Sequence, residues 1–370
     1  MAQRGRAAGV LVATVVALAA AAAPAPARKL PPVPPKLESL LPPGPAGTRA
    51  SPGPSAPALL TGEPRARDAI VAGGSSSIRG VSPSGAGGFK TSDGYTIIVR
   101  WADSGPYGPA DAQVMVDFLG SLLHGNEMRA LSVYLATESE LSQICGGDAL
   151  ACYSALEEEM IISGDPASSG GLTRKFIVAH EYGHHVANNR NNAPFPAMLF
   201  GPKYWATQQR ICPGVVSGRY QPLGDYYRRP GEAFAEAFAF NRFPNDTSWD
   251  WRFPHPNAAS YLALRRDTNR PWRKRVRGKV VRRLDGRDRI DAFRVRTPLD
   301  GRLTLKLRAH RRADFDLYVL ARKKLVLLAR RAGAARIKRV NLLICGRPAV
   351  RVVVVASHGA GRYTLKAARP

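Results

Sequence analysis

The stretch "FIVAHEYGHHVANN", residues 176–189, places three of the chain's seven histidines within six positions. His180 and His184 stand four apart, so on a helix they share one face and can both reach one ion. Glu181 follows the first of them, where its carboxylate reaches a water beside the ion rather than the ion itself. This is the H-E-x-x-H arrangement, in which the glutamate serves as general base. His185 lies five from His180, on another face. It reads as an exposed residue or a supporting partner rather than a ligand.

Two histidines do not complete a site, because a catalytic zinc takes three protein ligands and keeps one position open. The form HExxHxxGxxH is not met: Ala187 stands where the glycine would be and Arg190 where the third histidine would be. The missing ligand is expected downstream, in "YYRRPGEAFAEAFAFN", residues 226–241. Pro230 and Gly231 mark a helix start, and Glu232 and Glu236 then share one face while Phe234 and Phe238 form a row that can enter the core. Two carboxylates turned inward on so apolar a helix are costly without a cation or donors. Glu232 is therefore expected as third ligand of one zinc ion, and Glu236 as the partner that orients a ligand histidine. A plain amphipathic helix with a solvated acidic face is the competing reading. His255, between two prolines in "FPHPN", is the alternative ligand.

Around this segment the order reads strand, helix, strand, cysteine loop, strand, helix. "YTIIVRW" (95–101), "ALSVYLA" (130–136) and "EEMIIS" (158–163) have strand composition. Residues 109–125 carry Val114, Val116, Phe118, Leu119, Leu122 and Leu123 at helical spacing. The histidine helix is expected over about Leu172 to Asn189, and "EEMIIS" as the sheet edge that pairs with an extended peptide. After about Arg273 the period changes to two. Seven short runs, from "DAFRVRT" to "GRYTLKA", are separated by Gly, Asp and Arg clusters and argue for a β-sandwich.

At the N-terminus, Arg4 and Arg6 precede an apolar run from Val10 to Ala23, and Ala25-Pro26-Ala27 offers small residues for cleavage. Residues 1–27 read as a secretory signal peptide, with an uncleaved anchor as the alternative. Residues 28–92, rich in Pro, Gly, Ser and Ala, read as a mostly disordered tether or pro-segment. They contain no cysteine that could cap a metal. No later stretch is long and apolar enough to span a bilayer, so no stable membrane span is expected after signal cleavage. Residues 93–270 then form an α+β domain and 273–370 an all-β sandwich.

Export makes the four cysteines interpretable as two disulfides. Cys145 and Cys152 flank a short loop, "GGDALA", that closes easily, which leaves Cys212 to join Cys345 and staple the two domains. No CxxC spacing is present, which argues against a cysteine metal site.

The chain carries a formal net charge of +26. From Arg265 to Pro370 there are 32 Lys/Arg against 7 Asp/Glu, while the rest holds 22 against 21. A basic module is joined to a nearly neutral one. Such a surface attracts polyanions, among them an anionic cell-envelope polymer. An arginine-rich composition with no specific partner is the plainer explanation. Nucleic acid is disfavoured, because the aromatic-interleaved basic groove of a single-strand binder is absent.

"HEYGHH", followed by "GEAFAEAF" with Glu232 lying 48 residues after His184, resembles the gluzincin class of zinc metallopeptidases. The E-x-F-A-E form and the tyrosine pair before it resemble its anthrax-lethal-factor-like branch. The likeness spans roughly Tyr95–Tyr261. It implies a zincin-like catalytic domain, a small sheet with an active-site helix and a helical lower half. It further implies a zinc-dependent endopeptidase acting on peptide or protein substrates. It also implies that Tyr226 or Tyr227 steadies the oxyanion. Zinc held by His180, His184 and Glu232 would activate a water whose proton Glu181 takes and returns to the leaving amine. The basic tail, with "DFDLYVL" and "GRYTLKA", is similar to bacterial pre-peptidase C-terminal (PPC-like) domains, which trail secreted peptidases and can be removed on maturation. On this reading a chain cut near residue 270 keeps its cleavage activity. A zinc-stabilised surface-binding protein without turnover is the alternative, and the intact Glu181 argues against it.

Overall fold

The computed structural model describes residues 83–370 except 148, 165–171, 247–248, 274, 285–289, 311–312, 322–323, 330–336 and 347–348. The signal peptide expected over 1–27 and most of the tether expected over 28–92 lie outside the described residues.

The folded region begins earlier than residue 93. Strand β1 (Pro83–Lys90) pairs antiparallel with β2 (Thr96–Ala102), so the last part of the expected tether belongs to the sheet. Glycines conceal it in the sequence, because "PSGAGGFK" lacks the β-branched signature of a strand. With β3 (Ser132–Ala136), β4 (Ala151–Ser154) and β5 (Glu159–Ser163) it makes a five-stranded sheet in the order β1-β2-β3-β5-β4. β2, β3 and β5 run parallel, and the edge strands β1 and β4 run antiparallel to them. β5 is therefore interior, flanked by β3 and β4, and cannot be the peptide-pairing edge expected of it. The edge of the sheet on that side is β4, a strand of four residues whose length hides it in the sequence.

Helix α1 (Pro109–Ser121) starts on Pro109 and buries Ala112, Met115, Val116 and Leu119, while Val114 faces solvent. Helix α2 (Glu138–Cys145), opened by a Thr137–Glu140 capping box, occupies the segment before the cysteine loop. Cys145 at its end is bonded to Cys152 on β4. Helix α3 (Arg174–Asn188) carries the histidines and is capped by Thr173, whose hydroxyl accepts from Phe176 N–H. The short helices α4 (Ala197–Phe200), α5 (Lys203–Gln208) and α6 (Ile211–Val216) lead to α7 (Pro230–Arg242) and α8 (Ala258–Asn269). α3 and α7 are buried on every side along most of their length, which marks them as the central pair of the domain.

Among the described residues the C-terminal region is a sandwich of two four-stranded antiparallel sheets, with eight strands rather than seven. β6 (Arg275–Leu284) precedes the expected set, which continues as β7 (Ile290–Arg296), β8 (Gly301–Ala309), β9 (Asp314–Ala321), β10 (Lys324–Ala329), β11 (Ile337–Ile344), β12 (Ala349–His358) and β13 (Gly361–Arg369). The sheets are β10-β9-β12-β7 and β11-β8-β13-β6. Leu303, Leu305 and Leu307 of one face Val350, Val352 and Val354 of the other in a shared core, as period-two strands require.

The two folded regions are joined by more than a linker. Cys212 on α6 is bonded to Cys345 just after β11. Leu343 and Cys345 pack against the core of the α/β domain. Lys203 at the start of α5 is fully buried, and its ammonium donates to Ala193 O at 2.7 Å, Asp300 O at 2.9 Å and Asn192 O at 3.2 Å, with the Trp272 ring 4.8 Å away. Asp300 N–H in turn donates to Thr207 Oγ1. A chain cut near residue 270 loses Asp300, Trp272 and Cys345 together, which the expectation of retained activity did not take into account.

Candidate metal centre

His180, His184 and Glu232 converge between α3 and α7, and all three are buried. The two imidazole Nε2 atoms lie 3.2 Å apart, and Glu232 Oε2 lies 3.3 Å from His184 Nε2 and 3.6 Å from His180 Nε2. Three corners of a tetrahedron about 2.0–2.1 Å from its centre, the usual zinc–nitrogen distance, are separated by about 3.3–3.4 Å. The triangle has the size of three corners of such a shell.

The proton inventory leads to the same place. His180 Nδ1 faces Glu236 Oε2 at 3.0 Å, and a carboxylate only accepts. Nδ1 therefore carries the proton, and Nε2 turns a lone pair towards His184 and Glu232. Neither oxygen of Glu232 accepts a well-aligned hydrogen bond, and His184 Nδ1 has no partner among the described residues. A buried carboxylate and two imidazole lone pairs crowded together are stable when a cation sits among them. The residues fit a divalent ion, and the reading of α7 as a helix with a solvated acidic face is ruled out by the burial of Glu232 and Glu236.

Close helix contact makes this convergence possible. A Cβ on Gly183 would lie 2.8 Å from Ala235 Cα and 3.2 Å from Ala235 O. Gly183 on α3 and Ala235 on α7 are thus the small residues that let the two backbones touch. At the start of α7, a Cβ on Gly231 would lie 2.0 Å from Met198 O. The Phe row enters the core as expected, with Phe234 against Trp205 and Phe238 against Tyr182.

Glu181 is buried beside its neighbour His180 on α3. Tyr226 and Tyr227 form the 3-10 turn that leads into α7, and both rings pack on Trp251. His255 is not part of the cluster: its Nδ1 faces Pro256 O, and its ring lies between Phe240 and Trp249.

Of the two readings of His185, an exposed residue or a supporting partner, its burial excludes the first. It is fully buried rather than exposed, with Nε2 2.9 Å from Glu127 O and Nδ1 3.0 Å from Tyr153 Oη. The carbonyl accepts, so Nε2 holds the proton and the tyrosine hydroxyl donates to Nδ1. Burial lowers its pKa and favours the neutral ring. Behind it, Glu127 accepts from Tyr182 Oη and Gly125 N–H and pairs with Arg190. Arg190 also donates to Asp267 O and Thr268 O. The residue standing where a third histidine would be thus anchors the back of α3 to α8. Nothing in the local sequence around Glu127 announces this, because its side-chain partners Tyr182 and Arg190 are 55 and 63 positions away.

Among the described residues no helix is long and apolar enough to cross a membrane. The two disulfides fit an oxidising compartment.

No protein-family model matches this chain, and no curated protein matches it. Among solved structures, part of the chain is similar to the pre-peptidase C-terminal domain of a collagenase from Bacillus anthracis, at 12% identity and a TM-score of 0.22, covering 25% of this chain and 89% of that one.

Proposed function

We propose that the protein is a secreted zinc-dependent endopeptidase. The observation that carries the reading is the convergence of His180 Nε2, His184 Nε2 and Glu232 Oε2 next to a buried glutamate that is not itself one of the three. Two imidazoles and a carboxylate suit zinc among the biological cations. A purely structural site closes its shell with four protein groups and has no use for a base beside it.

When bound, the metal supplies Lewis-acid activation of a water and polarises a peptide carbonyl. The chain's residues do the rest. His180 is kept in the Nδ1–H tautomer by Glu236, so that Nε2 is free to ligate. Glu181 takes the proton of the attacking water and delivers it to the leaving amine. Tyr226 or Tyr227, at the entry to α7, offers a hydroxyl to the developing oxyanion. An extended substrate pairs with the β4 edge rather than with β5.

The test is metal analysis and cleavage of a mixed peptide library by the mature protein, with Glu181→Gln beside it. The reading expects about one zinc per chain in both proteins and cleavage by the wild type alone. Zinc in both with cleavage by neither would favour the non-catalytic surface-binding alternative. Absence of bound metal from the folded wild type would overturn the site itself.

A further inference from the structure

Among the described residues, cationic side chains line up across one face of the C-terminal sandwich. In the sheet β11-β8-β13-β6, Arg339 pairs with Lys306, Lys306 with Lys366, and Lys366 with Lys279. These four residues point away from the core, since their neighbours Val340, Leu305, Leu307 and Leu365 fill it. They form an unbroken cationic row across all four strands, about 14 Å from end to end at the usual strand spacing. Arg308 lies one row further along, and the pair Arg362–Arg283 beyond it. Among the described residues none of the four row members pairs with a carboxylate; the ion-paired cation of this sheet is Lys338, held by Asp314 and Asp316.

The opposite sheet is different. Its outer face carries one like-charge pair, Arg351–Arg294, with Arg296 beside it; the next row is Tyr318–Val353–Ala292, and Val355 pairs with Ile290 beyond. Those three arginines form no row across the strands of their sheet, so an arginine-rich composition alone does not account for the unbroken line of four on the other. Like charges directly opposite on adjacent strands destabilise a sheet, so this face is relieved when counter-charges of similar spacing lie along it.

We infer that the outer face of this sheet binds a linear phosphodiester glycopolymer of the cell envelope, laid across the strands along Arg339, Lys306, Lys366 and Lys279. A small anion satisfies one or two of these groups, whereas a polymer engages the whole row. The row and its neighbours present no aromatic ring for base stacking, since Tyr363 of β13 is buried in the core. The disulfides place the chain where envelope polymers, rather than nucleic acids, are the abundant polyanions. This surface is independent of the metal centre and stands whether or not the protein is a peptidase.

The test uses the full mature chain and measures binding to soluble poly(glycerol phosphate), with uncharged polyglycerol and an oligo(dT) of equal phosphate number as comparison probes. The triple variant Lys306→Gln/Arg339→Gln/Lys366→Gln is set against Arg294→Gln/Arg296→Gln/Arg351→Gln, which removes the same charge from the opposite sheet. The row variant is expected to bind poly(glycerol phosphate) at least about tenfold more weakly, with its logarithmic salt slope reduced by about 2. The opposite-sheet variant should stay within about twofold of wild type. The row variant should melt no lower than wild type, because it removes like-charge neighbours. Equal losses in the two variants would overturn the inference and leave only net charge. Tighter binding of oligo(dT) than of poly(glycerol phosphate), or no wild-type binding at about 0.15 M salt, would overturn it as well.

Discussion

Glu236 Oε2 stands 3.0 Å from His180 Nδ1, one helical turn beyond Glu232, whose own carboxylate faces the other nitrogen of the same ring. A single face of α7 therefore holds His180 from both sides. Removing the outer carboxylate leaves the three converging atoms in place but frees the ring to turn. Glu236→Ala is expected to weaken metal binding by about 10–100-fold without abolishing it. Competition with a chelator of known affinity measures this, and an unchanged affinity would contradict the orienting role.

Glu232 and Glu181 should separate in one experiment. Glu232→Ala removes one corner of the triangle and is expected to lose the metal. Glu181→Gln is expected to keep it at full occupancy and to lose at least about a hundredfold in turnover, since a general base contributes about 10²–10⁴. Full metal occupancy in Glu232→Ala would refute the ligand assignment.

Gly183→Ala adds a methyl 2.8 Å from Ala235 Cα, which must move. The two helices then part where His180, His184 and Glu232 converge. The expected cost is about 1–3 kcal/mol of stability, together with a loss of metal affinity larger than that of Glu236→Ala. Urea unfolding and chelator competition report the two effects separately. Retention of both would mean that the helices slide without disturbing the site.

The sandwich is predicted to be part of the stable unit. Replacing Cys212 and Cys345 by serine opens a link across 133 residues and should cost about 2–5 kcal/mol. Ending the chain near residue 270 also removes Asp300 O from the buried Lys203 ammonium. The truncated protein is therefore expected to lose cooperative unfolding or to unfold at lower denaturant. A truncated chain as stable as the whole would show that the interface contributes little.

Acid sensitivity should arise in part from Glu127. Burial works to raise its pKa, but Arg190 and the Gly125 N–H bring it below the ordinary 4.5. A carboxyl with a depressed folded pKa adds stability above the unfolded value, and that stability is lost as pH falls through the folded value. Wild type should therefore lose stability steadily below about pH 4.5. Glu127→Gln should be less stable at neutral pH by about 3 kcal/mol, because it strands the buried Arg190 guanidinium. It should also show a shallower decline over the acid range. Urea midpoints for the two proteins across that range test the difference, and parallel curves would remove Glu127 as a cause.

The candidate metal site was readable along the chain because both halves of it are helical. Four-residue spacing puts His180 with His184, and Glu232 with Glu236, on one face regardless of what surrounds them. The period-two runs after Arg273 announced a sandwich for the same reason, and the loop between Cys145 and Cys152 is short enough to close by itself. Where the pattern was weak, the reading missed elements: Gly-rich β1, four-residue β4 and Arg-rich β6. The burial of His185 was not legible, because its local face does not reveal that Tyr153 and the Glu127 carbonyl close over it.

Periodicity is a property of neighbours a few bonds apart, so it survives in one dimension. The order β1-β2-β3-β5-β4, which moved the edge from β5 to β4, depends on which distant strands exchange hydrogen bonds. The cationic row from Arg339 to Lys279 exists only in the register of four strands, where residues up to 87 positions apart become lateral neighbours. Arg190 in the place of a third histidine gained its meaning only when folding brought Glu127 beneath it. Such relationships follow from the burial of whole faces against one another, and no stretch of the chain carries that energy alone.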